Sequence, residues 1–366
     1  MKYFLVAGER SGDLHGSNLI AQIIKLDASV EFAGYGGDKM EEAGMKLNLH
    51  YREMAFMGFL EVVQNIFTIK KILRQCKDQI NAYQPDGVIL IDYGGFNMKI
   101  AKYCHGLGIP VHFYIPPKVW AWNQKRAIKL KRYVDFMYVI LPFEKEFFQK
   151  FDWHVAYVGN PVLDAVKNHD VSKSAQLDKE YIALLPGSRR QELTNIIPVL
   201  KKLASTSPNL NFFVAAVDNL NSELYQNIDQ LENVELYHGS SYDLLANSKA
   251  AIVTSGTATL ETALWKIPQV VVYKTSSVSY AIAKRLIKVP FISLVNLIAG
   301  KEVVKELIQN DLTVAKLNDE LNKLLKKDKR VKVLKEYDEI ISTLDIGSAS
   351  KNTAKLIYEN TKKANQ

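Results

Sequence analysis

The sequence has few cysteines and no long apolar run, and both shortages limit what the protein can be. Its two cysteines, Cys76 and Cys104, indicate reduced thiols rather than a disulfide framework. No apolar run approaches the roughly 20 residues that a transmembrane helix needs. The opening stretch MKYFLVAGE carries one lysine and five apolar or aromatic residues, which is too short for a signal peptide. We therefore expect a cytoplasmic protein.

The sequence also lacks the signatures of several kinds of chemistry. Its seven histidines show no paired spacing with cysteines or carboxylates, so we expect no metal site. No G-x-S-x-G follows a predicted strand, which argues against a covalent serine nucleophile. The first strand–helix turn, Gly8 to Asp13, lacks G-x-G-x-x-G and carries Glu9 and Asp13. Such a turn disfavours a dehydrogenase, because its carboxylates would repel a bare phosphate.

Length and charge narrow the class of protein further. A chain of 366 residues with 48% hydrophobic residues is typical of a globular protein with about two domains. The chain carries 47 Lys and Arg against 39 Asp and Glu, a net charge of +8. This basic excess favours an anionic partner, which could be phosphates, an acidic membrane surface or nucleic acid.

Alternating strand and helix patterns predict two α/β domains. The polar segment that follows Pro161 is typical of a linker. We predict an N-terminal domain over 1–165, a C-terminal domain over 166–344 and a C-terminal helix over 345–366. The predicted strands are 2–7, 30–33, 86–91, 111–115 and 136–141 in the first half, and 181–185, 211–217, 234–237, 250–254 and 269–273 in the second. In the last part of the second half, 291–297 is predicted to be extended and 301–309 helical.

One stretch of the second domain predicts a phosphate site. Ser255-Gly256-Thr257 joins the buried strand 250–254 to a predicted helix, and a further strand follows Pro268. The pattern indicates parallel strands with a crossover helix. The turn delivers backbone N–H groups and small hydroxyls to a helix N-terminus, where phosphates are bound. A helix that is merely capped by Ser255 or Thr257 is the alternative.

An acidic residue of the first domain also directly follows a predicted buried strand. Asp92 directly follows the apolar strand 86–91, ahead of a predicted helix from Met98. Its carboxylate could cap that helix. Alternatively it could serve as a general base, with burial raising its pKa toward the working range.

Two segments of the first domain could meet a membrane. The predicted helix 57–80 has an apolar face wider than a core stripe needs, with Lys70, Lys71 and Arg74 on or beside it. It is either a buried core helix or a helix that meets lipid. Trp120 and Trp122 precede the basic helix 124–133, which could be a solvated face or a surface for anionic lipid. No nucleic-acid motif accompanies these residues.

A series of short motifs occurs in a single order along the chain. They are Ala7-Gly8-Glu9-Arg10-Ser11-Gly12-Asp13, Gly36-Gly37 with Met40, Met57-Gly58, Ile91-Asp92, Val119-Trp120-Ala121-Trp122, Leu141-Pro142-Phe143-Glu144, Leu185-Pro186-Gly187-Ser188-Arg189, Ser255-Gly256-Thr257-Ala258 and Asn296-Leu297. From about residue 3 to residue 345, the series closely resembles the lipid-A-disaccharide synthase family. Two departures are visible. Tyr93-Gly94-Gly95-Phe96-Asn97 replaces a Pro-Asp-Phe-Asn-like segment, and Gly159-Asn160 replaces a Gly-His pair.

The resemblance implies a fold and a reaction. The fold is GT-B, an α/β architecture of two Rossmann-like, doubly wound domains that face each other across a cleft. The reaction is the transfer of 2,3-diacylglucosamine from UDP-2,3-diacylglucosamine to the 6-hydroxyl of 2,3-diacylglucosamine 1-phosphate, with inversion and release of UDP. The product is the β-1,6-linked tetraacyl disaccharide 1-phosphate of lipid A and lipopolysaccharide biosynthesis. No cofactor and no metal are implied.

The resemblance also suggests roles for individual residues. Asp92 is the expected base, and Arg189 is expected to neutralise the diphosphate of UDP, since a guanidinium can grip two phosphate oxygens. The expected donor site comprises Gly187, Ser188, Arg189, Ser255, Gly256, Thr257, Glu261 and Asn296, with Glu261 accepting from the ribose. Glu9, Ser11 and Asp13 are expected to hold sugar hydroxyls of the acceptor.

Both substrates carry acyl chains, which favours the lipid interpretation of the first domain. We expect Leu60, Val63, Ile66, Trp120 and Trp122 to face the cytoplasmic side of the inner membrane. Another GT-B enzyme, such as a peptidoglycan-type N-acetylglucosaminyltransferase or a UDP-sugar epimerase, is the alternative. Nucleic acid is not an expected partner. The C-terminal helices could pack back on the first domain or be exchanged between subunits of a homo-oligomer.

Overall fold

The computed structural model describes residues 1–54, 65–173, 179–217, 222–225 and 228–366, and they form two compact units. Unit 1 comprises Met1–Pro161 together with Asp345–Gln366, and unit 2 comprises Val162–Leu344. The sequence places the first boundary at 165/166, four residues later than the structure does. The C-terminal segment belongs to unit 1.

Unit 1 contains a parallel sheet of seven strands in the order β3-β2-β1-β4-β5-β6-β7. The strands are β1 (Lys2–Ala7), β2 (Glu31–Gly36), β3 (Lys46–His50), β4 (Gly87–Ile91), β5 (Val111–Tyr114), β6 (Phe136–Val139) and β7 (Ala156–Tyr157). The strand order reverses direction between β1 and β4, and open α/β sheets bind ligands at the carboxyl ends of the strands at such a point.

In unit 1, the described helices before Pro161 fill the crossovers between these parallel strands. They are α1 (Arg10–Leu26), α2 (Asp38–Glu42), α3 (Ile66–Tyr83), α4 (Gly94–Gly106), α5 (Val119–Trp122), α6 (Arg126–Tyr133) and α7 (Pro142–Gln149). The first part of the predicted helix 57–80 falls on 55–64, outside the described residues.

The central strands of unit 1 are apolar because both of their faces are covered. Every residue of β4 is buried, as are five of the six residues of β1. Gly34 lies inside β2, although the strand predicted from the sequence ends at residue 33. A Cβ on Gly34 would lie 2.0 Å from the carbonyl oxygen of Leu5, so only glycine lets β1 and β2 approach this closely.

Unit 2 contains a second parallel sheet, of six strands in the order β10-β9-β8-β11-β12-β13. The strands are β8 (Tyr181–Leu185), β9 (Asn211–Ala215), β10 (Val234–Tyr237), β11 (Ala250–Thr254), β12 (Gln269–Tyr273) and β13 (Lys305–Ile308). From the unit boundary to Leu344, the described helices are α8 (Pro161–Lys167), α9 (Arg190–Ser205), α10 (Ser241–Ala246), α11 (Thr257–Leu264), α12 (Ser277–Leu286), α13 (Leu294–Ala299), α14 (Val314–Leu325) and α15 (Lys327–Leu344).

Two predictions for the last part of unit 2 are wrong. The segment predicted to be extended, 291–297, contains the start of helix α13, whose N-terminus is capped by the Ser293 side chain accepting from Asn296 N. The segment predicted to be helical, 301–309, contains strand β13, which pairs with β12 at the edge of the sheet. For β13 the deciding contact is this pairing with β12, which short-range sequence patterns do not contain.

The last helix, α16 (Ala349–Ala364), packs against α1 in unit 1 of the same chain. Its Ala354 and Ile357 join a buried apolar cluster with Leu19 and Ile23 of α1. A buried polar contact also ties α16 to the sheet, because Thr361 Oγ1 lies 2.8 Å from Nε2 of His112 in β5. The C-terminal helix is thus part of the core of unit 1.

In the part of the chain that the structure describes, no helix combines the length and the apolarity required to cross a bilayer. The same residues contain no cluster of three or more His, Cys, Asp or Glu side chains with the geometry of a metal site.

Candidate functional site

Asp92 stands at the carboxyl end of β4, in a turn with unusual backbone geometry. The φ angles of Asp92 and Tyr93 are 49° and 47°, the left-handed region that residues other than glycine seldom adopt. Buried Asn97 holds this turn, since its Nδ2 donates to the carbonyl oxygens of Asp92 at 2.8 Å and Ile91 at 3.3 Å. Asp92 N in turn donates to the Tyr114 carbonyl of β5 at 3.1 Å. Backbone strain of this kind is common at active sites.

The pKa of Asp92 is raised by one influence and lowered by two others. Partial burial raises the pKa of its carboxyl group, because burial disfavours the charged form. The positive charge of Lys118 lowers this pKa, and so does a hydrogen bond from the Tyr93 backbone. The net direction is upward, which makes the carboxylate a better proton acceptor than a fully exposed aspartate.

The first turn of the chain lies directly against the turn at Asp92. A Cβ on Gly8 would lie 2.3 Å from the ring carbon Cγ of Tyr93, so Gly8 leaves room for that ring. Glu9 follows, and its negative charge contributes to raising the pKa of Tyr93. Ser11, in the first turn of α1, is exposed. Glu9 and Asp92 therefore share one end of the sheet, because they follow the paired parallel strands β1 and β4.

Asp13 has a structural role that its position in the sequence does not reveal. Its side chain is 3% exposed, and Oδ1 accepts from Gly37 N at 2.8 Å and from Met40 N at 3.0 Å. Its Oδ2 accepts from Lys39 N at 3.3 Å. The carboxylate therefore satisfies the N-terminus of α2 and stabilises its dipole. We do not retain Asp13 as a sugar-binding residue.

Trp120 is a core residue, which corrects the prediction that it faces a membrane. Only 5% of it is exposed, and its indole Nε1 donates to Oε1 of Glu144 at 2.9 Å. The other oxygen of Glu144 accepts from Ile140 N and Leu141 N at 3.1 and 3.0 Å. Burial raises the pKa of Glu144 to about 7 in spite of these bonds. The motifs that contain Trp120 and Glu144 thus meet in one buried polar contact.

Other apolar side chains of unit 1 are exposed. Ile66 and Trp122 are 38% and 46% exposed, and Phe67, next to Ile66 at the start of α3, is 80% exposed. Lys70 lies over the Phe67 ring, 5.9 Å from its centroid. Leu60 and Val63 lie outside the described residues. Exposed aromatic residues beside lysines are the composition that an interfacial surface uses.

In unit 2, the turn Ser255-Gly256-Thr257 connects β11 to α11. Ser255 N donates to the Val272 carbonyl at 3.0 Å, and Ser255 Oγ donates to the Ile292 carbonyl at 2.9 Å. These bonds fix the turn and use the serine hydroxyl. Gly256 and Thr257 are exposed at the N-terminus of α11, where the helix presents positive partial charge. The turn therefore exposes backbone at a helix N-terminus, a kind of position at which anions can bind.

Glu261 lies one helical turn further along α11 and contacts a residue that the sequence analysis missed. The hydroxyl of Tyr242, in α10, donates to Oε1 of Glu261 at 3.3 Å. Burial raises the pKa of Glu261, and this hydrogen bond opposes the rise. Tyr242 carries no motif of its own, so only the tertiary structure identifies it.

The loop Gly187-Ser188-Arg189 folds back on the first turn of α9. The carboxylate of Glu192 accepts from Ser188 N at 3.0 Å and from Arg189 N at 3.2 Å. Gly187 has a φ of 114°, and a Cβ there would lie 2.3 Å from Glu192 Oε2. The Arg189 side chain is 62% exposed, with Nη1 3.8 Å from Glu192 Oε1. The guanidinium is thus held loosely at the surface, where it can reach an anion.

Asn296 is fully buried, and its amide is used within unit 2. Its Oδ1 accepts from Val303 N and Val304 N at 2.8 and 3.0 Å. Its Nδ2 donates to the Val304 carbonyl and to Glu306 Oε1, both at 2.9 Å. These bonds join α13 to β13. We therefore do not retain Asn296 among the donor contacts.

Comparison with known proteins gives a consistent result along the whole chain. The profile of the lipid-A-disaccharide synthetase family matches residues 3–359. A lipid-A-disaccharide synthase of Syntrophus aciditrophicus is 36% identical, over 98% of each chain. Among solved structures, UDP-GlcNAc 2-epimerase from Neisseria meningitidis superposes with a TM-score of 0.67 at 16% identity, covering 99% of this chain and 100% of the other. A calicheamicin glycosyltransferase superposes with a TM-score of 0.65 at 14% identity, covering 100% and 99%. At these identities the two structures show the fold alone.

Proposed function

Since this chain belongs to the lipid-A-disaccharide synthetase family, we propose that it transfers 2,3-diacylglucosamine from its UDP derivative to the 6-hydroxyl of 2,3-diacylglucosamine 1-phosphate. The protein is a GT-B glycosyltransferase of lipid A biosynthesis. The observation that carries the proposed reaction is the carboxyl group of Asp92, held at the carboxyl end of β4 with a raised pKa.

In the proposed reaction Asp92 is the general base. Its carboxylate takes the proton of the 6-hydroxyl while that oxygen bonds to C1 of the donor sugar. The bond from C1 to the phosphate oxygen breaks on the opposite face, and its electron pair leaves with UDP. A single displacement of this kind inverts the configuration at C1. A positioned base typically accelerates such a step about 10²- to 10⁴-fold.

Unit 2 would supply the groups that bind UDP. The N-terminus of α11, at Gly256 and Thr257, offers backbone N–H donors and a positive partial charge to the diphosphate. The exposed Arg189 guanidinium would neutralise the charge that develops on the leaving group. Glu261 would accept from the ribose hydroxyls, with Tyr242 fixing its orientation.

Unit 1 would bind the acceptor and contact the membrane. Glu9 lies beside the turn at Asp92, and exposed Ser11 follows it in the first turn of α1; the two would offer acceptors and a donor to sugar hydroxyls. Exposed Ile66, Phe67 and Trp122 would enter the interface of the inner membrane on its cytoplasmic side, where both acyl-bearing substrates reside.

The test is incubation of the purified protein with labelled acceptor and UDP-2,3-diacylglucosamine. We expect tetraacyl disaccharide 1-phosphate and one equivalent of UDP, with the new linkage in the β configuration by NMR. Parallel reactions with UDP-N-acetylglucosamine, alone and with a peptidoglycan precursor, should give neither epimer nor disaccharide. Epimerisation without acylated product would refute the proposal.

A further inference from the structure

The segment after β5 brings a lysine to Asp92. Ile115 has a φ of 60°, which a β-branched residue rarely adopts, and its N–H donates to the Tyr138 carbonyl at 3.2 Å. This turn directs Pro116 and Pro117 onto the start of α4, where a Cβ on Gly94 would lie 2.5 Å from Pro117 Cβ. Lys118 follows, exposed and near enough to lower the pKa of Asp92.

A second cation is anchored at the same place. Arg126, at the start of α6, is partly buried, and its Nη2 donates to the Gly94 carbonyl at 3.1 Å. The guanidinium has further N–H groups, which remain able to bind a second partner. The segment between the two cations is itself fixed by the buried bond of Trp120 to Glu144. Lys118 and Arg126 are therefore held beside the Asp92 turn by the fold.

General-base catalysis by Asp92 does not explain the position of Lys118. A positive charge near Asp92 lowers the affinity of the carboxylate for a proton, which opposes general-base catalysis. It does favour the binding of an anion next to the base. The proposed acceptor carries such an anion, because its 1-phosphate and its 6-hydroxyl are joined only through C6, C5, the ring oxygen and C1. When the hydroxyl contacts Asp92, the phosphate must lie close by.

We propose that Lys118 and Arg126 bind the 1-phosphate of the acceptor sugar while its 6-hydroxyl contacts Asp92. This inference rests on the proposed function and adds a specificity site to it. An ammonium and a guanidinium suit a phosphate monoester, the first as a compact charge and the second as a fork of donors. The pair would orient the sugar and select the phosphorylated acceptor over its phosphate-free analogue.

The test compares two acceptors, 2,3-diacylglucosamine 1-phosphate and 2,3-diacylglucosamine, in neutral detergent micelles. Lys118→Gln should lower kcat/KM for the phosphorylated acceptor about tenfold to a hundredfold, chiefly through KM, and leave the phosphate-free acceptor nearly unchanged. Arg126→Gln, which removes the guanidinium charge, should behave in the same way. Lys129→Gln, which replaces an exposed lysine of α6, is the matched control and should discriminate between the two acceptors as the wild type does.

Equilibrium binding of the two acceptors to the same variants separates this inference from the proposed reaction. A wild type that makes no disaccharide refutes the reaction, whereas preferential binding of the phosphorylated acceptor, lost in Lys118→Gln, still supports the phosphate site. Equal losses on both acceptors, or no loss on either, would overturn the site. Binding to phosphatidylglycerol vesicles without acceptor should be unchanged in Lys118→Gln. A loss there with acceptor selectivity intact would assign Lys118 to the membrane instead.

Discussion

At the scale of single residues, the proposed chemistry depends on Asp92. Asp92→Asn removes the proton acceptor while keeping an oxygen that can accept from the Tyr93 backbone. We therefore expect turnover to fall by about 10²- to 10⁴-fold with little change in thermal stability. Initial rates of UDP release at saturating substrate measure the loss, and circular dichroism checks the fold. Asp164→Asn, in α8 of unit 2, is a control carboxylate outside the proposed chemistry. Full turnover by Asp92→Asn would remove Asp92 from the role of base.

The same scale shows which roles a sequence can indicate. Asp92, Ser255 and Thr257 follow apolar strands, and strand ends can be located from the sequence because apolar runs predict them. Asp13 and Asn296 occur in equally recognisable motifs, but their side chains cap α2 and join α13 to β13. A motif shows that a side chain matters, whereas its hydrogen-bond partners decide whether it meets ligand or backbone.

At the scale of elements, the exposed start of α3 and the exposed end of α5 set up a test of membrane contact. Phe67→Ser and Trp122→Ser each remove an exposed aromatic ring that would enter the interface. We expect each change to weaken binding to vesicles about tenfold or more, since burying a large apolar side chain contributes about 1.5–3 kcal/mol. Sedimentation with anionic vesicles measures this. Leu107→Ser, a 50%-exposed residue at the end of α4, is the matched control. Equal effects from all three changes would contradict a specific membrane surface.

Most elements could be predicted from the sequence, because buried parallel strands consist of apolar runs and crossover helices show a periodic pattern of apolar residues. The exceptions have physical causes. Strand β13 is a short edge strand of four residues that begins with Lys305 and Glu306, and only its pairing with β12 makes it a strand. Trp120 is in a segment of aromatic and basic residues that suggests a surface. The partner that buries it, Glu144, lies 24 residues away, at a distance that sequence patterns do not cover.

At the scale of the whole molecule, the chain leaves unit 1 at Pro161 and returns to it at Asp345. The return is fixed by a polar contact between distant parts of the chain. Nε2 of His112 lies 2.8 Å from the Thr361 hydroxyl, which also donates to the Ile357 carbonyl. The other ring nitrogen of His112 lies 3.0 Å from the Tyr138 hydroxyl. Burial lowers the pKa of the imidazole and so keeps it neutral, which a sequence pattern could not show for a lone histidine.

This neutral histidine predicts an acid dependence of the stability of unit 1. Burial lowers the pKa of His112 from its ordinary 6.5 to about 3. Between these values only the unfolded chain binds the proton, so stability is complete above pH 6.5 and falls as the pH is lowered, by about 1.4 kcal/mol for each pH unit. His112→Gln should be less stable than the wild type at pH 7 but should lose less on acidification. His15, whose pKa burial lowers to about 4, adds the same background to both proteins.

Amide hydrogen exchange of β5, β6 and α16 at pH 7 and pH 5 measures this change in unit 1 separately from unit 2. The intrinsic rate of amide exchange itself varies with pH. Protection factors, which are corrected for that intrinsic rate, are therefore the quantity to compare. His105→Gln removes a histidine whose side chain is 45% exposed and should keep the wild-type acid dependence. If His112→Gln loses as much protection on acidification as the wild type does, another group carries the acid dependence. If only His112→Gln reduces the acid dependence of protection, the contact between His112 and Thr361, which holds the C-terminal helix to the first sheet, also limits the stability of unit 1 in acid.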